Sequence, residues 1–255
     1  MSSPIWTPAA LSSELRPYEK RVWRLVEAQH RVSTRKIVDT NAEQSLLEDL
    51  IEASKPAFPP ECRSLDYLLA TPFRYGAAYP HGSRFRRAGQ TPGVYYAAEA
   101  PETAAAEMAF YRLLFFAESP ATRWPANPAE YTGFSAALAS PFALDLSSPP
   151  LDVDRDRWRD PVEYGPCQVL AEAAREAGAE VLRYESARTP QGSACAAALT
   201  CAAFSEPYPL EYQTWRIGVT ARGAYAIREF PSASYEFDRT AFAADPRIAA
   251  MVWER

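Results

Sequence analysis

Several common catalytic signatures are missing from this chain of 255 residues. There is no phosphate-cradling GxxxxGK[ST] loop and no GxGxxG turn, so nucleoside-triphosphate and Rossmann-type dinucleotide binding find no support. Only two histidines occur, His30 and His81. With no HExxH, no histidine pair at helical spacing and no acidic ligand loop, no metal site is expected. Gly82-Ser83 follows His81 directly, but without a GxSxG elbow a Ser–His–Asp hydrolase has little to rest on. The four cysteines (Cys62, Cys167, Cys195, Cys201) form no CxxC pair and read as reduced, buried thiols. Basic excess is also lacking. A net charge of −5 argues against a general nucleic-acid binder. No apolar run approaches membrane-spanning length. The opening MSSPIWTPAAL carries no charged region followed by an apolar one, so no signal peptide and a cytoplasmic location are expected.

What is present is core-forming material: 47% of the residues are hydrophobic, and 23 prolines against 10 glycines predict rigid connections. After an opening of loops or a short helical turn to about Lys20, alternation predicts a strand over Arg21–Gln29. It carries Arg24 among apolar neighbours, where a guanidinium either snorkels to the rim or has a task. Thr40-Asn41-Ala42-Glu43 is a capping box. The stripe Leu46, Leu50, Leu47 and Ile51 then predicts an amphipathic helix that serves as a packing element. A short helix is expected over Ser64–Ala70, and loop or strand over Thr71–Tyr79 with a second isolated arginine, Arg74. Further on, Thr132–Ala139 and Phe142–Leu146 read as two strands and Ser147–Asp160 as surface loop. Glu163–Gly178 reads as a helix stopped by Gly178. Glu180–Glu185 reads as a strand, Ser186–Gly192 as a turn, and Ala194–Phe204 as an apolar run of strand length. Tyr212–Val219 and Ala224–Arg228 form a hairpin, and the tail to Arg255 is expected to be helical. Helices interrupt the strands without βαβ regularity, which predicts an α+β fold with a mixed sheet.

The chemistry concentrates between Tyr79 and Arg112. Arg84, Arg86 and Arg87 precede a Pro92-Gly93 turn, and Val94-Tyr95-Tyr96 reads as a strand. A helix opens at Ala100-Pro101, with proline in the first turn and Glu102 complementing the dipole. Glu107 lies near its middle with Thr103, Ala104, Phe110 and Tyr111 at neighbouring helical positions. It is either a solvated helix charge, the common case, or a placed catalytic group. Guanidinium forks suit phosphate oxygens, phenol rings suit a base or nicotinamide, and a lone carboxylate stabilises positive charge growing on a sugar carbon. Together these groups suit cleavage of a glycosidic bond in a phosphate-rich nucleotide such as NAD.

At this point the chain resembles the RES-domain family, the toxins of Xre/RES toxin–antitoxin pairs. The resemblance rests on Gly82-Ser83-Arg84-Phe85, Val94-Tyr95-Tyr96, Glu107 eleven positions after Tyr96, Trp23-Arg24, Tyr164-Gly165-x-Cys167-Gln168 and Ser186-Ala187-Arg188. It covers about Val22 to Arg228. The longer ParT-type members, with an insertion after the first strand, look closest. The resemblance implies a single RES-type domain over residues 1–255, with an N-terminal segment and a helical insertion at about 32–79. It implies a largely antiparallel split sheet like that of ADP-ribosyltransferases. NAD is the implied substrate, with Arg24 and Arg84 at its phosphates or ribose and Tyr96 near the nicotinamide. Glu107 would face the developing oxocarbenium ion, and Ser186 would complete the site by hydrogen bonding. Transfer of ADP-ribose to a protein such as phosphoribosyl pyrophosphate synthetase is the implied reaction, with NAD hydrolysis or phosphorolysis as the alternative. A non-catalytic NAD-binding or antitoxin-binding module is the reading from another class. An Xre-type antitoxin is the implied partner, with neither nucleic acid nor membrane involved. Phe85-Arg86 stands where many members have Trp-Asn, and Arg74-Tyr75 competes with Arg24. The sharing of the phosphates among Arg24, Arg74, Arg84 and Arg86 therefore stays open.

Overall fold

A computed structural model describes residues 6–28, 37–75, 81–89, 91–189 and 193–254. His30, both ends of the expected insertion (Val32 and Tyr79), and Pro190, Gln191 and Gly192 of the expected turn lie outside these residues. Among the described residues, eight strands form one mixed sheet: β1 (Arg16–Glu27), β2 (Tyr95–Ala98), β3 (Ala129–Asp145), β4 (Val181–Glu185), β5 (Ala194–Ala198), β6 (Glu211–Thr220), β7 (Gly223–Arg228) and β8 (Ala233–Asp238). The order is β1-β2-β5-β4-β3-β6-β7-β8, and β1 also pairs with β3, so five strands close on themselves while β6, β7 and β8 extend from β3. Only β3 and β4 run parallel; every other pairing is antiparallel. The ring is weakest between β1 and β2, which meet at the single pair Trp23 and Ala98. Beyond that pair the sheet is split.

Among the described residues, the helices are α1 (Pro8–Ser13), α2 (Asn41–Ala53), α3 (Tyr67–Arg74), α4 (Pro101–Glu118), α5 (Arg155–Arg159), α6 (Gly165–Glu176) and α7 (Pro246–Ala249). None is long and apolar enough to cross a membrane. Helix α4 is the central one. Three consecutive alanines, Ala104, Ala105 and Ala106, let it approach the sheet closely, while Phe110, Leu113, Leu114 and Phe116 bury its second half. The sheet divides the apolar residues of β1 and β2 between two cores. Trp23, Leu25 and Ala98 pack on the α4 side. Val22, Tyr95 and Ala97 pack on the opposite side with Leu69 and Phe73 of α3. This is the period-two alternation of a strand buried on both faces.

Several expectations are corrected. Strand β1 begins at Arg16, inside the expected opening loop. The two strands expected over Thr132–Ala139 and Phe142–Leu146 are one, because Pro141 sits at a bulge in the β1–β3 pairing between Ser140 and Ala143, where a missing N–H is tolerated. The expected surface loop Ser147–Asp160 holds a 3-10 turn and α5, and buries Leu151 and Trp158. The run Ala194–Phe204 is strand only to Ala198, followed by a 3-10 turn at Cys201–Ala203. The tail contributes β8 and only a four-residue helix. Residues 71–74, expected as loop or strand, continue α3 despite Pro72.

The capping box at Thr40 and Glu43 is formed. The helix it starts, however, is no packing element: Leu46 and Leu50 are each 59% exposed, and no residue of α2 is buried. The expectation of four reduced cysteines also fails. Cys62 and Cys201 are joined in a disulfide that ties the inserted segment to the end of β5, while Cys167 and Cys195 are free and buried. Gly178, at φ +84°, ends α6 as expected.

Candidate active site

The split between β1 and β2 opens under α4 into a cavity of ≈ 340 Å³. Trp23, Arg24 and Leu25 line it from β1, Tyr96, Ala97 and Ala98 from β2, and Ala104, Glu107, Met108 and Tyr111 from α4. Tyr184 of β4 and Cys195 of β5, directly paired across their strands, also line it. So do Ser83 and Arg84 from the segment before β2.

That segment is a tight turn: Ser83 N–H donates to the Arg86 carbonyl (2.8 Å) and Arg86 N–H to the Ser83 carbonyl (3.2 Å). Three contacts anchor it. The Gln168 amide of α6 donates to the Ser83 carbonyl (3.1 Å). The Phe85 ring is buried edge-on against Tyr184, 4.9 Å between centroids. The Tyr96 hydroxyl accepts from Phe85 N–H (2.9 Å) and shares a hydrogen bond with the Ser83 hydroxyl (2.8 Å). Tyr96 thus presents its ring to the cavity, with its hydroxyl committed to the turn.

Glu107 is the sole carboxylate among the lining residues. Ser186 donates a hydrogen bond to its Oε1. Burial pushes the Glu107 carboxyl above its ordinary value, against the downward pull of the Ser186 hydrogen bond and of the Arg188 and Arg84 guanidinium groups. Burial also raises the Tyr184 phenol and the Cys195 thiol well above their ordinary values, so both stay neutral beside the carboxylate. The cavity therefore sets one carboxylate among aromatic, alanine and neutral polar walls, with the guanidinium groups of Arg24 and Arg84 also on its lining. Close to the carboxylate, such an arrangement favours a positive charge that develops on a bound molecule, while the guanidinium groups favour an anionic part of it.

The two expected arginines differ in placement. Arg84 sits on the cavity wall; it donates to the Trp158 carbonyl (2.7 Å) and lies over the Tyr164 ring, 4.7 Å from its centroid. Arg24 shares a strand face with Val22 and Val26, opposite to Trp23 and Leu25. Its guanidinium reaches across the split, donates to the Tyr96 carbonyl (2.8 Å) and lies over Tyr95 (5.2 Å). There it substitutes for the inter-strand bond that β1 and β2 do not make. Arg24 lines both this cavity and a smaller one of ≈ 250 Å³ on the α3 side. Arg74 does not reach the site: it pairs with Glu52 (2.6 Å) and lies over Phe58 (4.3 Å), fastening the insertion to itself. Arg86 is buried but does not line the cavity. Ser186 is buried and absent from the cavity wall, and its hydroxyl donates to the Glu107 carboxylate. Tyr184, Cys195 and Met108 were not singled out from the sequence. Only the cross-strand pairing that places Tyr184 and Cys195 side by side would have found the first two.

Fold and cavity together give a split mixed sheet with one carboxylate, several aromatic rings and two guanidinium groups around a single hollow. Residues 58–220 match the family model described as the RES domain, so the chain belongs to the RES-domain family and with it to the NAD-consuming enzymes. Among solved structures, one chain of the crystal structure of the M. tuberculosis MbcT-MbcA toxin-antitoxin complex is similar over 97% of this chain and 99% of its own length, at 11% identity and a TM-score of 0.46. No curated protein sequence matches. Among the described residues, no group of three or more His, Cys, Asp or Glu side chains could hold a metal ion.

Proposed function

We propose that this chain is the toxin of a toxin–antitoxin pair and destroys NAD by breaking the bond between nicotinamide and ribose, with water as the acceptor. The observation that carries this reading is the lone Glu107 carboxylate, held by Ser186 and facing an aromatic-walled cavity. The cavity is at the small end of ligand-site volumes, about 300–1,000 Å³. It suits the nicotinamide riboside end, with the rest of the dinucleotide leaving through the split past Arg24 and Arg84. Nicotinamide packs against Tyr96. As the glycosidic bond stretches, positive charge gathers on the ribose, and Glu107 stabilises it more than it stabilises the neutral sugar. Nicotinamide leaves as a neutral base, so no general acid is needed. Water adds to the cationic carbon and gives up its proton to solvent.

The same split-sheet arrangement supports an ADP-ribosyltransferase-like reading of the fold. Water is preferred over a protein acceptor because the lining residues supply no second carboxylate to activate an incoming side chain. Strand β1 supplies Arg24 from outside residues 58–220, which supports a domain that extends beyond the matched span. An antitoxin that covers the cavity mouth would restrain the enzyme.

The test is direct. The purified chain is incubated with NAD, with and without phosphate, and nicotinamide and ADP-ribose are followed by chromatography. Equal amounts of nicotinamide and ADP-ribose are expected. Release of nicotinamide with ADP-ribose recovered on protein, or as its 1-phosphate, would move the acceptor to a side chain or to phosphate. No nicotinamide under any condition would refute the reading.

A further inference from the structure

Arg188 is a buried cation that lines no part of the cavity, yet five groups from four segments converge on it. Its Nη1 pairs with Asp245 Oδ2 (3.2 Å). Its Nη2 donates to the Pro161 carbonyl (2.6 Å) and the Tyr164 hydroxyl (3.3 Å). Its guanidinium lies over the Phe110 ring, 3.6 Å from the centroid, one turn of α4 beyond Glu107. Its backbone N–H donates to the Ser186 hydroxyl (3.0 Å), the group that in turn donates to Glu107. Asp245 is fully buried and also holds Arg247 (2.7 Å), whose side chain is partly exposed. It lies beyond residues 58–220, in the tail.

From this connectivity we infer that Asp245 and Arg188 act in series as positioning residues for Glu107: the tail carboxylate locks the arginine, and the arginine fixes both the serine that orients the carboxylate and the aromatic ring beneath it. The inference rests on the NAD-cleaving reading of Glu107. A buried guanidinium needs a counter-charge, and Asp245 supplies it. Without that partner the fork swings toward water, and the Ser186 hydroxyl loses its fixed direction.

The signature that separates this from a plain stability effect is the acid limb of the pH–rate profile. The groups facing Glu107 are Ser186 and Arg188 from the segment after β4, Arg84 from the turn before β2, Tyr184 of β4, Cys195 of β5 and Tyr111 on α4 itself. Of these only Arg188 and Arg84 carry positive charge. Glu107 works ionised, so activity falls as pH drops through its pKa. Displacing Arg188 removes a cation and moves that limb to higher pH. If Asp245 instead acted only through space, deleting its negative charge with Arg188 in place would move the limb to lower pH.

Nicotinamide release by Asp245→Asn, Arg188→Met and the double variant is measured from pH 5 to 9. Each single variant is expected to lose about ten- to hundredfold in kcat with KM for NAD within about threefold. Its acid limb should rise by about one pH unit. The double variant is expected to match Arg188→Met alone. Arg247→Ala loosens the same tail from the exposed side and is expected to leave the limb in place. Should Arg188→Met not fold, Arg188→Lys, which keeps the charge but not the fork, is expected to lose kcat with a smaller rise of the limb. A downward or absent limb shift in Asp245→Asn, or additive losses in the double variant, overturns the inference. Wild-type chain that releases no nicotinamide fails the NAD reading instead.

Discussion

Removing one oxygen from Tyr96 tests how the site is built. In Tyr96→Phe the ring stays on the cavity wall, while the hydroxyl that accepts from Phe85 N–H (2.9 Å) and shares a hydrogen bond with Ser83 (2.8 Å) is gone. Two neutral hydrogen bonds contribute about 0.5–1.5 kcal/mol each. Phe85 is buried, so its N–H is left without a partner at a cost of about 1–3 kcal/mol. These overlap rather than add, giving a loss of about 2–3 kcal/mol. For a chain of this size that lowers Tm by roughly 4–12 °C. Urea unfolding followed by tryptophan fluorescence measures the loss. Turnover is the second readout. A hydroxyl spent on the turn does no proton transfer, so kcat is expected to stay within about tenfold of the parent. A loss under 0.5 kcal/mol would mean that the turn does not hang from this hydroxyl. An unchanged stability with kcat reduced by about a thousandfold or more would make the phenol catalytic and refute the assignment.

Three other perturbations read different parts of the argument. Glu107→Gln is expected to abolish nicotinamide release, yet to be more stable than the parent at pH 8. Burial raises the folded pKa of this carboxyl, so its charge opposes folding above that pKa; denaturation at pH 8 and pH 4 should show the advantage fading as the pH falls through it. Reducing or replacing the Cys62–Cys201 disulfide, which spans 139 residues of sequence, is expected to cost about 2–5 kcal/mol, seen as a lower urea midpoint with dithiothreitol than without. Leu46→Ala and Leu50→Ala are expected to shift stability by less than about 0.5 kcal/mol, because both side chains are largely in water; a loss near the 2–5 kcal/mol of a core truncation would put α2 in the core after all.

How much was legible in the sequence depends on whether the deciding interaction was local. The capping box at Thr40, proline at the start of α4, the Gly178 stop and the β6–β7 hairpin all rest on neighbouring residues, and each formed as expected. Pro141 misled in the opposite direction, since its bulge is tolerated only because β1 runs alongside the whole of β3. The stripe of α2 has helical period, but period does not say whether anything lies against it. The pairing of Cys62 with Cys201 has no spacing signature at all, because the two meet only once the insertion folds back on β5.

The site divides the same way. Glu107 and Tyr96 could be named because the strand and helix that carry them are consecutive, and their spacing fixes their relation. Arg84 was named on the same stretch, but its partners arrive from two distant segments: Trp158 from one read as loop and Tyr164 from the start of one read as helix. Arg24 shows why a residue type alone is insufficient. The family resemblance implied a phosphate or ribose contact for this guanidinium, yet its alternation puts it on the face away from Glu107, and it returns to the cavity only because β1 and β2 separate after one pair. The split is therefore both the opening of the site and the reason an arginine can stand in it. Continued pairing of β1 with β2 would satisfy the Tyr96 carbonyl with a backbone N–H, close the sheet, and leave Glu107 facing a wall.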